Sequence, residues 1–106
     1  MEHLDLKDRK GLVVGIANDH SLAWSAARHF RNAGAELAIT YLNDKARPHV
    51  GPLAREVDAG LFLPCDVTVP GQLEAVFEQI RQRWGRLDFL LHAIAWARKE
   101  ARRWLA

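Results

Sequence analysis

The chain has 106 residues, a formal net charge of +2, 49% hydrophobic and 26% charged residues, ordinary values for a soluble globular protein with one domain and a modest core. So small an excess of base calls for no nucleic-acid partner, and no apolar run approaches the roughly 20 residues that cross a bilayer. Cys65 is the only cysteine, which excludes an intrachain disulfide and a paired-thiol metal site. Met1 to Lys10 is charged throughout and lacks a signal-peptide apolar segment, so a cytoplasmic location is expected.

Gly11 to Ile16 is a short, β-branched apolar run bounded by glycine, the pattern of a strand buried on both faces. From Ser21 to Ala33, Leu22, Ala26, Ala27 and Phe30 fall on one helical stripe, and Gly34 supplies the stop. Leu37 to Tyr41 is a second strand. Between Asp44 and Asp58, Val50, Leu53, Ala54 and Val57 have helical spacing, but Pro48, Gly51 and Pro52 interrupt it. An interior proline costs about 3 kcal/mol or more, so a helix starting near Pro52, or a kinked one, is expected. Leu61 to Leu63 is a third strand. Pro70 opens a further helix, with Leu73, Val76, Phe77, Ile80 and Trp84 as its apolar stripe and Gly85 as its end. Asp88 to His92 is the fourth strand, and Ala95 to Ala106 has helical propensity.

The order βαβαβαβ plus a partial helix carries no repeat or linker, so residues 1–106 read as a single domain. Alternation of this kind implies a parallel sheet covered by helices. The expected fold class is α/β, a Rossmann-type doubly wound parallel sheet, truncated to about four strands in the order 3-2-1-4. In such folds ligands bind at the switch point between the first and fourth strands, and the chain ends just past it.

The first strand-to-helix turn carries the chemistry. The common Gly-x-Gly-x-x-Gly is absent, and the turn reads Gly15-Ile16-Ala17-Asn18-Asp19-His20-Ser21-Leu22-Ala23. Gly15 admits a close ligand, Ala17 keeps the turn free of bulk, and Ser21 stands where a helix cap is wanted. A helix N-terminus attracts an anion such as a diphosphate. A bland capped strand-to-helix connection would look similar.

Gly15-x5-Ser21-x-Ala23 resembles the variant loop of the enoyl-acyl-carrier-protein reductases, a divergent branch of the short-chain dehydrogenases. Gly34-Ala35-Glu36-Leu37-Ala38, Thr40-Tyr41-Leu42-Asn43-Asp44-Lys45, Cys65-Asp66-Val67 and His92-Ala93-Ile94-Ala95 are similar to that family's segments at the same places. The resemblance extends to about Ala97. It implies that Gly15, Ser21 and Leu22 line the pyrophosphate and its ribose. Asp66 and Val67 would meet the adenine, and Ile94, with Ala93 and Ala95, would lie beside the nicotinamide ribose. The implied cofactor is NADH, with NADPH not excluded; an acyl-carrier-protein-linked substrate is implied only for the full-length family.

Several residues depart from the family pattern. Ser25 stands for a usual glycine. Leu42 replaces a polar residue at the end of the second strand, where an acid ordinarily binds the adenosine ribose. Ala95 and Arg98 replace a usual glycine and proline. The family's catalytic Tyr and Lys, six residues apart on a later helix, have no counterpart, because the one tyrosine is Tyr41. No catalytic residue is therefore assigned, and the 106 residues alone are expected not to turn over.

Plainer readings stand beside these. Cys65 reads as a buried packing thiol, and Asp66 can simply cap the next turn. His3, His20, His29, His49 and His92 show no ligand spacing, so no metal is expected, and His92 reads as a packing residue at the sheet end. The basic tail reads as a solvated face. Phe89, Leu90 and Leu91 call for cover on both faces, so an uncovered edge there would favour self-association. Two other functions stay open: a fragment of an ordinary short-chain carbonyl or alcohol dehydrogenase, and a noncatalytic fragment that binds nucleotide weakly or associates through a sheet edge.

Overall fold

The computed structural model describes residues 5–16 and 22–92. In chain order the elements are β1 (Lys10–Val14), α1 (Leu22–Asn32), β2 (Glu36–Tyr41), α2 (Arg47–Glu56), β3 (Leu61–Pro64), α3 (Gln72–Trp84) and β4 (Phe89–His92). The strands form one sheet in the order β3-β2-β1-β4, all neighbours parallel. This is the expected 3-2-1-4 order. The expected tail helix, Ala95 to Ala106, lies outside the described residues.

Alternation along the strands sorts the core into two layers. Val13, Leu37 and Ile39 face α1 and α2, packing with Ala23, Trp24, Ala27, Val50 and Ala54. Leu12, Val14, Ala38 and Leu61 face α3, where Val76 and Ile80 meet them. Leu12, Val13, Leu37 and Ile39 are wholly buried, and each such side chain contributes roughly 1.5–3 kcal/mol by leaving water. Burial on both faces is why β1 and β2 carry continuous apolar runs instead of alternating ones.

Several boundaries and faces differ from expectation. β1 stops at Val14, because Gly15 turns to a φ of 111°. Helix α2 begins at Arg47, before both of its prolines. Pro48 falls in the first turn, where its missing N–H is no loss. Gly51 has no Cβ to meet the Pro52 ring, which relieves the clash that normally drives the residue before proline out of helical conformation. Pro70 lies in the turn ahead of α3, whose cap is Gly71 at a φ of 90°. On α1 the buried face is Ala23, Trp24 and Ala27, rotated from the expected stripe, and Leu22 is exposed. Phe77 is likewise exposed on α3.

The resemblance put a glycine where Ser25 stands. Ser25 is exposed on α1, so its hydroxyl does not intrude on helix–sheet packing.

Candidate functional site at the carboxyl ends of the strands

Because every strand runs the same way, β1, β2 and β3 deliver their last residues to one crest of the sheet. Gly15 leaves β1 with φ in the left-handed region, a conformation that side chains with a Cβ rarely adopt. The chain then passes through residues 17–21, outside the described residues, and re-emerges at Leu22, the first residue of α1 and 80% exposed. Ser21 falls in that interval, and Ile94 with Ala93 and Ala95 also lies outside the described residues.

The second half of the crest is built by β2 and β3. The Cys65 amide donates to the Tyr41 carbonyl at 2.8 Å, carrying the strand pairing one step past Pro64. Asp66 and Val67 follow past the end of β3, as Leu42 follows past the end of β2, and both Val67 and Leu42 are about half exposed. The Asp66 amide donates to Gln72 Oε1 at 2.7 Å. Asp66 Oδ1 accepts from the Thr68 amide at 3.0 Å and from Thr68 Oγ1 at 2.6 Å. Asp66 thus caps the following turn, as the plainer reading held. Oδ2 takes no hydrogen bond among the described residues and stays available to a ligand. The Thr68 hydroxyl, and then its amide, hold the Asp66 carboxyl below its ordinary range, so it is ionised at neutral pH.

Parallel neighbours lie about 4.8 Å apart, so Gly15 and the Asp66 loop, two strands distant, are separated by roughly 10 Å. An adenosine diphosphate unit can bridge that gap. With no side chain at Gly15 and apolar Leu22, Leu42 and Val67 around the rim, the described part of the crest fits a dinucleotide.

Other candidates resolve as structural. Cys65 is buried, and burial, followed by the neighbouring Asp66 and Glu74 charges, pushes its thiol up; it is protonated and unreactive at neutral pH. Tyr41 is buried against Phe62, ring centroids 4.6 Å apart, with the Arg47 guanidinium 5.6 Å from its ring. His92 is exposed, which corrects the expectation of a packing role. Among the described residues no group of His, Cys, Asp and Glu could hold a metal ion. An open groove between α2 and β3 is lined by Arg47, Gly51, Arg55 and Phe62.

Charge gathers at the opposite end of the sheet. Asp88 Oδ2 accepts from the Lys10 amide at 2.8 Å, the Asp88 amide donates to the Lys10 carbonyl at 2.8 Å, and Arg86 reaches both Asp88 and the Asp8 carbonyl. These contacts tie β4 to β1 at their amino ends, and the pairing runs on to Val14 opposite His92. Thr68 and Gln72 went unnoticed in the sequence, although Asp-x-Thr after a strand is a legible turn signal.

Comparison with known proteins agrees with this geometry. The family model described as enoyl-(acyl carrier protein) reductase matches residues 15–105. A curated relative from Rhizobium meliloti, named enoyl-acyl-carrier-protein reductase (NADH) 2, is 45% identical over 94 residues, which are 89% of this chain and 35% of that protein. The enoyl-acyl-carrier-protein reductase of Anaplasma phagocytophilum, solved in complex with NAD, superposes with a TM-score of 0.77 at 39% identity, covering 80% of this chain and 32% of that one. The Bacillus cereus reductase, solved with NADP+ and an indole naphthyridinone, gives 0.76 at 39% identity, covering 85% and 35%. The chain therefore spans about a third of the length of these relatives. By the extent of the family match, it belongs to the enoyl-acyl-carrier-protein reductase family.

Proposed function

We propose that the chain is the dinucleotide-binding part of an enoyl-acyl-carrier-protein reductase and holds NADH across the carboxyl ends of β1, β2 and β3. The observation that carries this reading is the left-handed Gly15 at the end of β1, directly before the turn into α1. There the backbone clears a path for a diphosphate and the α1 N-terminus faces it. Gly15, Ser21 and Leu22 line the diphosphate and its ribose. The Asp66 carboxylate accepts from the adenine amine, and Val67 offers its backbone N–H. Ile94 flanks the nicotinamide ribose.

In the whole enzyme, bound NADH supplies the hydride that reaches the β-carbon of a trans-2-enoyl thioester on acyl carrier protein. The residues present orient the cofactor. Their only tyrosine, Tyr41, is buried in the α2 layer and cannot meet a substrate. The 106 residues thus bind without turning over. Among the described residues no helix is long and apolar enough to cross a membrane, and the proposed setting is the cytoplasm.

A second reading concerns association. Leu90 on β4 is 45% exposed, and among the described residues β4 pairs only with β1. An open edge of this kind favours self-association.

Calorimetric titration of the folded chain with NADH tests the main reading. Saturable heat is expected, with no reduction of a crotonyl thioester. Absence of binding by a folded sample overturns the reading.

A further inference from the structure

We propose that the groove between α2 and β3 docks an acidic, extended segment of a partner protein, which pairs with the free edge of β3 and places two carboxylates on Arg47 and Arg55. β3 ends the sheet order and, among the described residues, pairs only with β2. Its outer edge offers main-chain groups to an incoming strand. Pro64, without an N–H, ends β3 and keeps such pairing short. Helix α2 supplies the wall. Arg47, Gly51 and Arg55 recur every four residues and share one flank of the helix. Glu56, on the opposite flank, reaches Arg28 of α1 at 3.6 Å, so the arginine flank faces away from α1, toward the side where β3 is the last strand. Gly51 leaves the middle of that flank open: the partly buried Phe62 ring lies 3.9 Å from where a Cβ would stand.

Charge selects the occupant. Glu56 is taken by Arg28, and Asp58, which also lines the groove, is paired with Arg31 at 3.6 Å. Among the described residues neither Arg47 nor Arg55 has a carboxylate partner, and Arg47 lies over the Tyr41 ring at 5.6 Å. The groove is therefore cationic at both ends and apolar between them. Eight residues of helix set the two arginine positions about 12 Å apart, too far for one small anion to serve both. An extended chain covers that distance in four residues at about 3.3 Å each, and residues i, i+2 and i+4 of a strand point to one face. Acids at i and i+4 thus meet the two guanidinium groups, while an apolar residue at i+2 fits over Gly51 and Phe62. Nucleic-acid phosphates match the charge but bring no peptide groups to the edge of β3.

The test is fluorescence anisotropy of the folded chain with a fluorescein-labelled peptide, Gly-Ser-Glu-Thr-Val-Thr-Glu-Ser-Gly. Saturable binding is expected, and a control peptide with lysine at both acidic places should bind at least about tenfold more weakly. Arg47→Glu and Arg55→Glu should each weaken the acidic peptide by at least about tenfold. Circular dichroism checks that each variant folds, as these exposed positions allow, and calorimetric titration of both variants with NADH should match the parent chain. In amide NMR the peptide should shift Gly51 and Leu61 to Leu63 and leave Gly15 in place. Absence of saturable binding, equal binding of the lysine peptide, unaltered affinity in both variants, or shifts that spare Leu61 to Leu63 overturns the inference. A nine-nucleotide thymidine strand that displaces the labelled peptide better than the unlabelled peptide does also overturns it. The dinucleotide reading is untouched by these outcomes and is decided by NADH titration of the parent chain.

Discussion

Gly15 and Asp66 show how single residues shape the crest by opposite means. Gly15 acts through what it lacks: at a φ of 111° a Cβ would strain the backbone at the mouth of the turn. We expect Gly15→Ala to destabilise the fold by about 1 kcal/mol or more and to weaken NADH binding by about tenfold or more, read by thermal unfolding and by titration. Unchanged values for both would remove Gly15 from its assigned role. Asp66 acts through a carboxylate held ionised by Thr68, with one oxygen spent on the turn and the other free. The sequence resemblance pointed to Asp66 as an adenine contact, and the plainer reading pointed to a cap. The two oxygens let both roles coexist.

Among the elements, β4 has the least cover, and its anchor is a close approach. Gly11 pairs with Phe89 in parallel register, and a Cβ built on Gly11 would come within 2.1 Å of the Phe89 ring. That ring sits edge-on to Phe30 of α1, centroids 4.8 Å apart. We expect Gly11→Ala to displace Phe89 from Phe30 and cost about 1–3 kcal/mol, as overpacking does, measured by chemical denaturation. A variant as stable as the parent would contradict this packing. Strand identities and order were legible in the sequence because continuous apolar runs between helical stripes admit few topologies. The face of α1 was not, since Leu22, Ala23, Trp24, Ala26 and Ala27 support two overlapping stripes, and only contact with Leu37 and Ile39 selects one. The start of α2 was hidden by its prolines, whose penalty depends on Gly51 and on their distance from the helix start. The cap at Asp66 was legible as a turn signal, but its partners Thr68 and Gln72 were not, because they lie in the following loop and helix.

At the scale of the whole molecule, acidic groups with lowered affinity for protons set the response to pH. Asp88 is held down first by the Lys10 amide and then by Arg86 and Arg9, and Asp66 by Thr68. The Arg81 and Gln82 side chains draw Glu78 to about 2. Such groups bind fewer protons folded than unfolded, so their stabilisation is complete above the ordinary values of 3.8 and 4.5 and is lost as pH falls through the folded values. The melting temperature should therefore hold from pH 7 to about 5 and fall below about pH 4.5, and Asp88→Ala should flatten that fall. A melting temperature that rises on acidification would contradict the assignment. Association through β4 belongs to the same scale: size-exclusion chromatography with light scattering should show the 106-residue chain growing in mass with concentration, and a compact monomer throughout would exclude it.

The most direct test of the central claim is amide NMR on a folded, isotopically labelled sample titrated with NADH. Saturable shifts are expected at Gly15, Leu22, Asp66 and Val67, with the Lys10 and Asp88 amides at the far end of the sheet unmoved. Saturating NADH that leaves the crest amides in place would contradict it.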